Sequence, residues 1–261
     1  MIKLSDLSNK TIGLVLSGGG VKGVAHVGVI KALLEHGIVP DIVSGASAGA
    51  VVGALYANGI QPEDMLHFFK ETPLLKYNLL TINKPGLFDT NKYLVFFEKY
   101  FPINSFESLE KQLYIVATNL QSGESEFFSK GELLNTVLAS SALPPVFSPV
   151  PINGQLYADG GIMNNFPVDP LIDTTEFIIG SYTTAMKVVG ENELKNSFQL
   201  SQRANLLMLH SNVRHKLSIP DLLFTPNHLD VIGVLDKKGI EKAYIIGYDY
   251  ASGLLEETLS S

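Results

Sequence analysis

The stretch Asp41-Ile42-Val43-Ser44-Gly45-Ala46-Ser47-Ala48-Gly49-Ala50 governs the reading of this chain. A short apolar run enters it and small residues at helical spacing leave it, so Gly-Ala-Ser-Ala-Gly at 45–49 stands at a strand-to-helix turn. A turn this tight admits no bulk beside the serine, because strand and helix crowd each other there, and the strained backbone lifts Oγ clear of the sheet. A serine hydroxyl is inert at neutral pH without a base to take its proton and donors to hold the oxyanion that forms on the attacked carbonyl. The rest of the chain must supply both.

Residues 11–16, Thr-Ile-Gly-Leu-Val-Leu, are continuously apolar without alternation, which predicts a parallel strand buried on both faces. A glycine loop at 18–23 follows, then Val24, Val27, Ile30, Leu33 and Leu34 at a helical period, with Gly37 and Pro40 as stop signals. Strand, helix and strand make a βαβ unit that ends on the Ser47 turn. Beyond it, Ala48, Gly49, Ala50, Gly53, Ala54 and Ala57 predict a helix lying close to the sheet, capped by Gly59, and Pro62-Glu63-Asp64 opens another. Residues 113–118 read as a strand, Ser122-Gly123 as a hairpin turn and 132–140 as a helix. Asn153-Gly154 is a second hairpin turn, leading directly into Asp159-Gly160-Gly161. Strands at 176–181 and 221–224 alternate with helices at 194–211 and 239–252. Residues 72–88 are apolar yet broken by two prolines, and read either as a flap near the site or as a core-packed connection. The aromatic stripe at 93–101 reads as core.

With 261 residues, 46% hydrophobic and 17% charged, and no shift in composition along its length, the chain is expected to form one domain over 1–261. The formal charge of −7 disfavours nucleic acid as partner and does not attract an anionic membrane, so any transient contact with a membrane surface would be apolar. Absence of cysteine excludes disulfides and thiolate catalysis, and the histidines lack a His-Glu-x-x-His spacing. Neither a signal-peptide core nor an apolar run of membrane-spanning length is present, and the expectation is a soluble cytoplasmic protein, at most peripheral to a membrane.

Gly18-Gly19-Gly20-Val21-Lys22-Gly23 also satisfies the dinucleotide fingerprint Gly-x-Gly-x-x-Gly. That fold needs an acid at the carboxyl end of the second strand, whereas Asp41 stands at its start and the Ser47 turn holds the carboxyl end. A Walker loop fails because Gly23, not Ser or Thr, follows Lys22. The glycines instead suit exposed backbone N–H groups at a helix N-terminus, aimed at an oxyanion beside Ser47. Asp159, at the end of a short strand with glycines beyond it, is the candidate base.

Ser17 to Gly23, Gly45 to Gly49 and Asp159-Gly-Gly-Ile-Met-Asn-Asn-Phe-Pro-Val168, with Ala-Ser-Ser-Ala-Leu-Pro-Pro-Val-Phe at 139–147, resemble the patatin-like phospholipases in order and context. The resemblance is strongest over 11–168. It implies a three-layer α/β/α sandwich with a mainly parallel sheet, and hydrolysis of acyl esters in phospholipids, lysophospholipids or neutral acylglycerols without metal or other cofactor. It further implies Ser47 as nucleophile between the elbow glycines Gly45 and Gly49. Asp159 would be the base of a Ser-Asp dyad, followed by the acid-motif glycines Gly160 and Gly161. The oxyanion hole would come from Gly18, Gly19 and Gly20, with Lys22 at the loop's basic position. Ser17 stands where plant members have Asp. Acyl transfer to an alcohol, an idle lipid-binding protein of the same fold, and a Ser47–Asp159–His228 triad remain as alternatives.

Overall fold

The computed structural model describes residues 2–3, 7, 9–73, 77–81, 83–186 and 188–260. In chain order its strands are β1 (Ile2–Lys3), β2 (Ile12–Leu16), β3 (Ile42–Ala46), β4 (Gln112–Asn119), β5 (Ser125–Phe128), β6 (Val150–Ile152), β7 (Gln155–Ala158), β8 (Phe177–Ser181), β9 (Leu222–Phe224) and β10 (Leu259–Ser260). The α-helices are α1 (Ala25–Glu35), α2 (Ala48–Ala57), α3 (Pro62–Glu71), α4 (Leu94–Phe97), α5 (Leu133–Ser140), α6 (Gly161–Asn164), α7 (Asp169–Ile172), α8 (Ser197–Val213) and α9 (Ile240–Thr258).

Side chains alternate across a strand, so β2 supplies both faces of the sheet. Ile12, Leu14 and Leu16 enter a large core with α1, α2, α3 and α9, while Val15 enters a smaller one with Phe166, Val168, Leu171, Tyr182 and Val213. Burial on both sides explains the unbroken apolar run of the sequence and gives the expected α/β/α sandwich. Hydrogen-bonded neighbours follow β6-β7-β4-β3-β2-β8-β9, with β5 also on β4. The pairs from β4 through β9 are parallel, and β5, β6 and β7 pair antiparallel.

The registers on β4 fix the most consequential feature. Ile115 and Val116 pair with β3 and also with β5, so those two strands occupy opposite edges of β4. Thr118 pairs with Ser125 of β5 and with Ala158 of β7, so β7 lies on the edge used by β3. Thus β3 ends at Ala46 opposite Val116, and β7 arrives from the other direction and ends at Ala158 opposite Thr118. The next residues of the two strands, Ser47 and Asp159, are brought together end to end.

Local signals hold where they depend on backbone conformation alone. Asn153 (φ 50°) and Gly154 (φ 79°) form the hairpin turn between β6 and β7. Gly59 (φ 74°) caps α2, with its N–H on Tyr56 O and that of Ile60 on Leu55 O. Strand β3 runs two residues past the predicted 41–44, because Gly45 and Ala46 keep their pairing with Ile115 and Val116. Helix α8 starts at Ser197 rather than 194, where the Asn196 side chain accepts the Gln199 N–H at 3.0 Å and caps it. The aromatic stripe is core, as read, with Phe97 and Phe101 buried. Its regular helix, however, is only α4, preceded by a 3₁₀ turn over Thr90–Tyr93. Of the 72–88 segment, residues 74–76 and 82 lie outside the described residues. Its far end is tied down, with Phe88 N–H on Val146 O and Ser148 N–H on Phe88 O, at 2.8 and 2.9 Å.

Helices α1 and α9 cross in near-backbone contact through two glycines. A Cβ on Gly247 would lie 2.1 Å from Ala25 O, and one on Gly28 2.2 Å from Tyr244 O. Helix propensity favours Ala over Gly by about 1 kcal/mol, whereas forcing the helices apart costs about 1–3 kcal/mol. Gly247→Ala is therefore expected to lower the unfolding free energy. Gly253→Ala in the same helix, where a Cβ meets nothing within 4 Å, is expected to raise it. Urea denaturation of both variants checks the opposed signs.

Candidate active site

Ser47 sits between β3 and α2 with φ 53° and ψ −124°, a conformation that L residues rarely hold and that costs about 1–3 kcal/mol. The elbow glycines explain how the turn is possible. A Cβ on Gly45 would come within 2.4 Å of Gly49 O, and one on Gly49 within 2.3 Å of Leu16 O, both backbone atoms that cannot move aside. Two further contacts secure the serine backbone. Its N–H donates to Ser140 Oγ at 2.9 Å, and its carbonyl accepts from Ser141 Oγ at 3.3 Å.

Ser47 Oγ donates to Asp159 Oδ2 at 2.6 Å. The other carboxylate oxygen, Oδ1, accepts the Gly161 N–H at 2.8 Å. The acid is anchored by its own backbone as well. Asp159 N–H donates to Ala142 O at 3.1 Å, Asp159 O accepts from Thr118 Oγ1 at 2.8 Å, and Gly160 N–H donates to Ser140 O at 3.1 Å. The end of α5 thus holds Ser47 and Asp159 through one residue, Ser140, whose own hydroxyl donates to Val116 O at 2.7 Å. Gly160 passes so close to β4 that a Cβ would lie 2.1 Å from Val116 O. Burial pushes the Asp159 carboxyl up to about 6, against the opposing pull of hydrogen bonds from Ser47 and Gly161. A carboxylate in that range is a far better base than one in water.

The glycine loop lies beside the pair. A Cβ on Gly18 would be 3.1 Å from Ser47 Cβ, and Gly23 packs against Ala48. The loop's donors are not equivalent. Gly18 N–H donates to Asn165 O at 3.3 Å and Val21 N–H to Val234 O at 2.8 Å, which leaves Gly19 and Gly20 as the loop's open amides among the described residues. Gly20 (φ 57°) must be glycine, since a Cβ would strike Val234 O. Lys22 lines a second cavity with Thr184, Arg203 and Asp230, and is not among the residues that line the one containing Ser47.

Ser47 and Asp159 open into an apolar cleft bounded by Val24, Val51, Phe68, Phe97, Phe147 and Ile240. Phe68 stands edge-on to Phe69, Phe97 and Tyr100, with centroids 5.0–5.3 Å apart. Asp41, the acid that a dinucleotide would need, accepts the Ile12 N–H at 2.8 Å at the opposite end of the strands. His228 is an exposed residue with left-handed backbone at the start of the Leu229–Val231 turn, and Asp159 makes no hydrogen bond to it. Among the described residues no three His, Asp or Glu side chains are grouped to hold a metal ion, and no helix is long and apolar enough to cross a membrane.

Sequence reasoning gave no role to Ser140 or Asn165, although both fall in the stretches quoted for the resemblance, and did not single out Thr183 or His26. His26 is fully buried, with Nε2 donating to Ser17 O at 2.8 Å and Nδ1 accepting from Ser181 Oγ at 2.7 Å. Burial lowers its pKa to about 4, so the ring is neutral and its two nitrogens take these distinct roles. A histidine on an otherwise apolar helix face is the signal that could have flagged it.

The family model for patatin-like phospholipases matches residues 14–172. The lysophospholipase nte1 of Aspergillus fumigatus is 28% identical over 284 residues, covering 97% of this chain and 19% of that protein. An uncharacterized NTE family protein of Mycobacterium tuberculosis is 33% identical over 173 residues, covering 65% of this chain and 48% of that one. The chain therefore spans about a fifth of the lysophospholipase and about half of the bacterial protein. The crystal structure of VipD from Legionella pneumophila shares the fold, with a TM-score of 0.55 at 20% identity over 95% of this chain and 67% of that chain.

The raised Asp159 pKa makes its ionisation a cost to the folded state. The unfolded chain ionises near 3.8 and the folded one near 6, so the stability present below pH 4 is lost as pH rises to 6. At neutral pH the loss approaches ~3 kcal/mol. Asp159→Asn removes it. The variant's unfolding free energy relative to the parent is expected to grow between pH 4 and 7 and then level off, as measured by denaturation across that range.

Proposed function

Since the chain belongs to the patatin-like phospholipase family, we propose that it is a serine lipid acyl hydrolase that uses a Ser47–Asp159 dyad. One observation carries the reading: the 2.6 Å hydrogen bond from Ser47 Oγ to a buried carboxylate at the floor of an apolar cleft. Ser47 Oγ attacks the ester carbonyl carbon as its proton passes to Asp159 Oδ2. The carbonyl oxygen takes the electron pair as an oxyanion held by the Gly19 and Gly20 amides. Collapse breaks the bond to the alcohol, which leaves with the proton from Asp159. A water then attacks the acyl-enzyme, gives its proton to Asp159, and the fatty acid departs as Ser47 Oγ is reprotonated. No histidine enters the cycle.

The cleft supports an acyl chain as the group recognised, because its walls offer apolar contact and little hydrogen bonding. The lysophospholipase names among its relatives favour glycerophospholipids or lysophospholipids as the ester class. Such substrates reside in lipid surfaces, and Val234, 37% exposed and on the cleft wall, would meet that surface during transient contact.

Ser47→Ala is expected to fold and to lose ester hydrolysis by roughly 10³-fold or more, together with labelling by a fluorophosphonate probe. Activity near that of the parent would overturn the assignment. On the same substrates Asp159→Asn is expected to be nearly inactive and His228→Ala nearly unaffected. An inactive His228→Ala would replace the dyad by a triad. For the parent enzyme, kcat/KM should fall on the acid side with a midpoint near pH 6, where Asp159 takes up its proton.

A further inference from the structure

Two consecutive peptide units of the glycine loop are fixed by groups that lie outside the dyad. The first, Ser17 C=O to Gly18 N–H, is held at both ends: the carbonyl accepts from His26 Nε2 at 2.8 Å and the amide donates to Asn165 O at 3.3 Å. The second, Gly18 C=O to Gly19 N–H, is held at its carbonyl alone. Gly18 O accepts two hydroxyls, Ser17 Oγ at 3.0 Å and Thr183 Oγ1 at 3.1 Å. Those hydroxyls are locked in turn, since Ser17 Oγ accepts the Thr183 N–H at 3.0 Å. All four residues that bear these groups, Ser17, Thr183, His26 and Asn165, are buried.

A trans peptide is planar, with its C=O and N–H pointing in opposite directions. Holding the Gly18 carbonyl toward Ser17 and Thr183 therefore turns the Gly19 N–H to the other side, away from both hydroxyls. That amide has no acceptor among the described residues. Gly19 itself is shaped by the same contact. A Cβ there would lie 2.5 Å from Thr183 Oγ1, so the hydroxyl reaches the Gly18 carbonyl only because residue 19 is glycine.

We propose that Thr183 and Ser17 are positioning residues for the reaction: by holding the Gly18 carbonyl they aim the Gly19 N–H at the developing oxyanion. The proposal rests on the reading of Ser47 as nucleophile given above. Preorganised donors act without reorganising at the moment of reaction, and loss of one costs about 10²–10³ in rate. Losing one of the two hydroxyls loosens the donor's aim without deleting it, so a smaller loss is expected. Serine at position 17 fits this role, because a hydroxyl can accept from Thr183 N–H and donate to Gly18 O at once, which a carboxylate cannot.

The test compares Thr183→Val, which keeps the shape and removes the hydroxyl, with Thr183→Ser, which keeps the hydroxyl. Expected for Thr183→Val is a fall in kcat of about tenfold or more, part of the loss for a whole donor, with KM within about twofold. The rate of fluorophosphonate inactivation, whose phosphoryl oxygen must enter the same hole, should fall in parallel. Thr183→Ser should restore most of both rates, and the acid limb near pH 6 should stay in place in both variants. Parent-like rates in Thr183→Val, or equal losses in both variants, would overturn the positioning role. If Thr183→Val melts well below the parent, Ser17→Ala carries the same comparison. Ser47→Ala, assayed alongside, separates the two ideas: its inactivity with an unaffected Thr183→Val sinks only the positioning role, whereas its activity sinks the nucleophile.

Discussion

Everything at this site depends on one edge of one strand. Strand β4 is longer than β3, and the part that outruns it, at Thr118 and Asn119, is available to pair with β7 coming the other way. Backbone hydrogen bonds leave little freedom in where a paired strand ends. Ala46 and Ala158 are therefore fixed two positions apart along β4, and the residues after them meet. The 2.6 Å contact between Ser47 and Asp159 is the outcome of sheet register, reinforced by Ser140, which bonds to the backbone on both sides. A pair of side chains placed this way has no need of a mobile loop to bring its members together.

The same arrangement is costly to the fold. Ser47 holds a backbone conformation foreign to serine, and Asp159 keeps a carboxylate in a buried place where the neutral acid is favoured. Both costs are local, and both are offset by structure that does no chemistry. Two apolar layers close the sheet on either face, and the crossing of α1 and α9 at glycines brings those helices to backbone contact. Strain and burial at a candidate site, supported by a rigid surround, fit the general trade between stability and activity.

The glycine loop illustrates how a short motif hides unequal parts. Its amides look interchangeable in sequence, yet Asn165 and Val234 take two of them and, among the described residues, leave Gly19 and Gly20 open. Lys22, inside the same motif, lines a different cavity. The division is made by residues far away in the chain, at 165, 183 and 234, that fold back over the loop.

What the sequence alone determined is what short-range sterics decide. A Gly-x-Ser-x-Gly turn between an apolar run and a small-residue helix admits few conformations, Asn153-Gly154 admits essentially one, and an unalternating apolar strand must be covered on both faces. From these came the parallel strand buried on both faces, the elbow and the candidate acid at the end of a hairpin, while the three-layer sandwich was implied by the family resemblance. The tertiary structure decided what depends on residues distant in the chain. Only pairing along β4 puts residue 159 against residue 47, only the packing of α3, α4 and α9 assembles the cleft from Phe68, Phe97 and Ile240, and only the return of the chain at Asn165, Thr183 and Val234 gives the glycine loop its hydrogen-bond partners. Such contacts leave no local pattern, because a buried Thr or Ser reads the same whether it aims an amide or merely satisfies one. Their meaning lies in which partners the fold brings within hydrogen-bond reach.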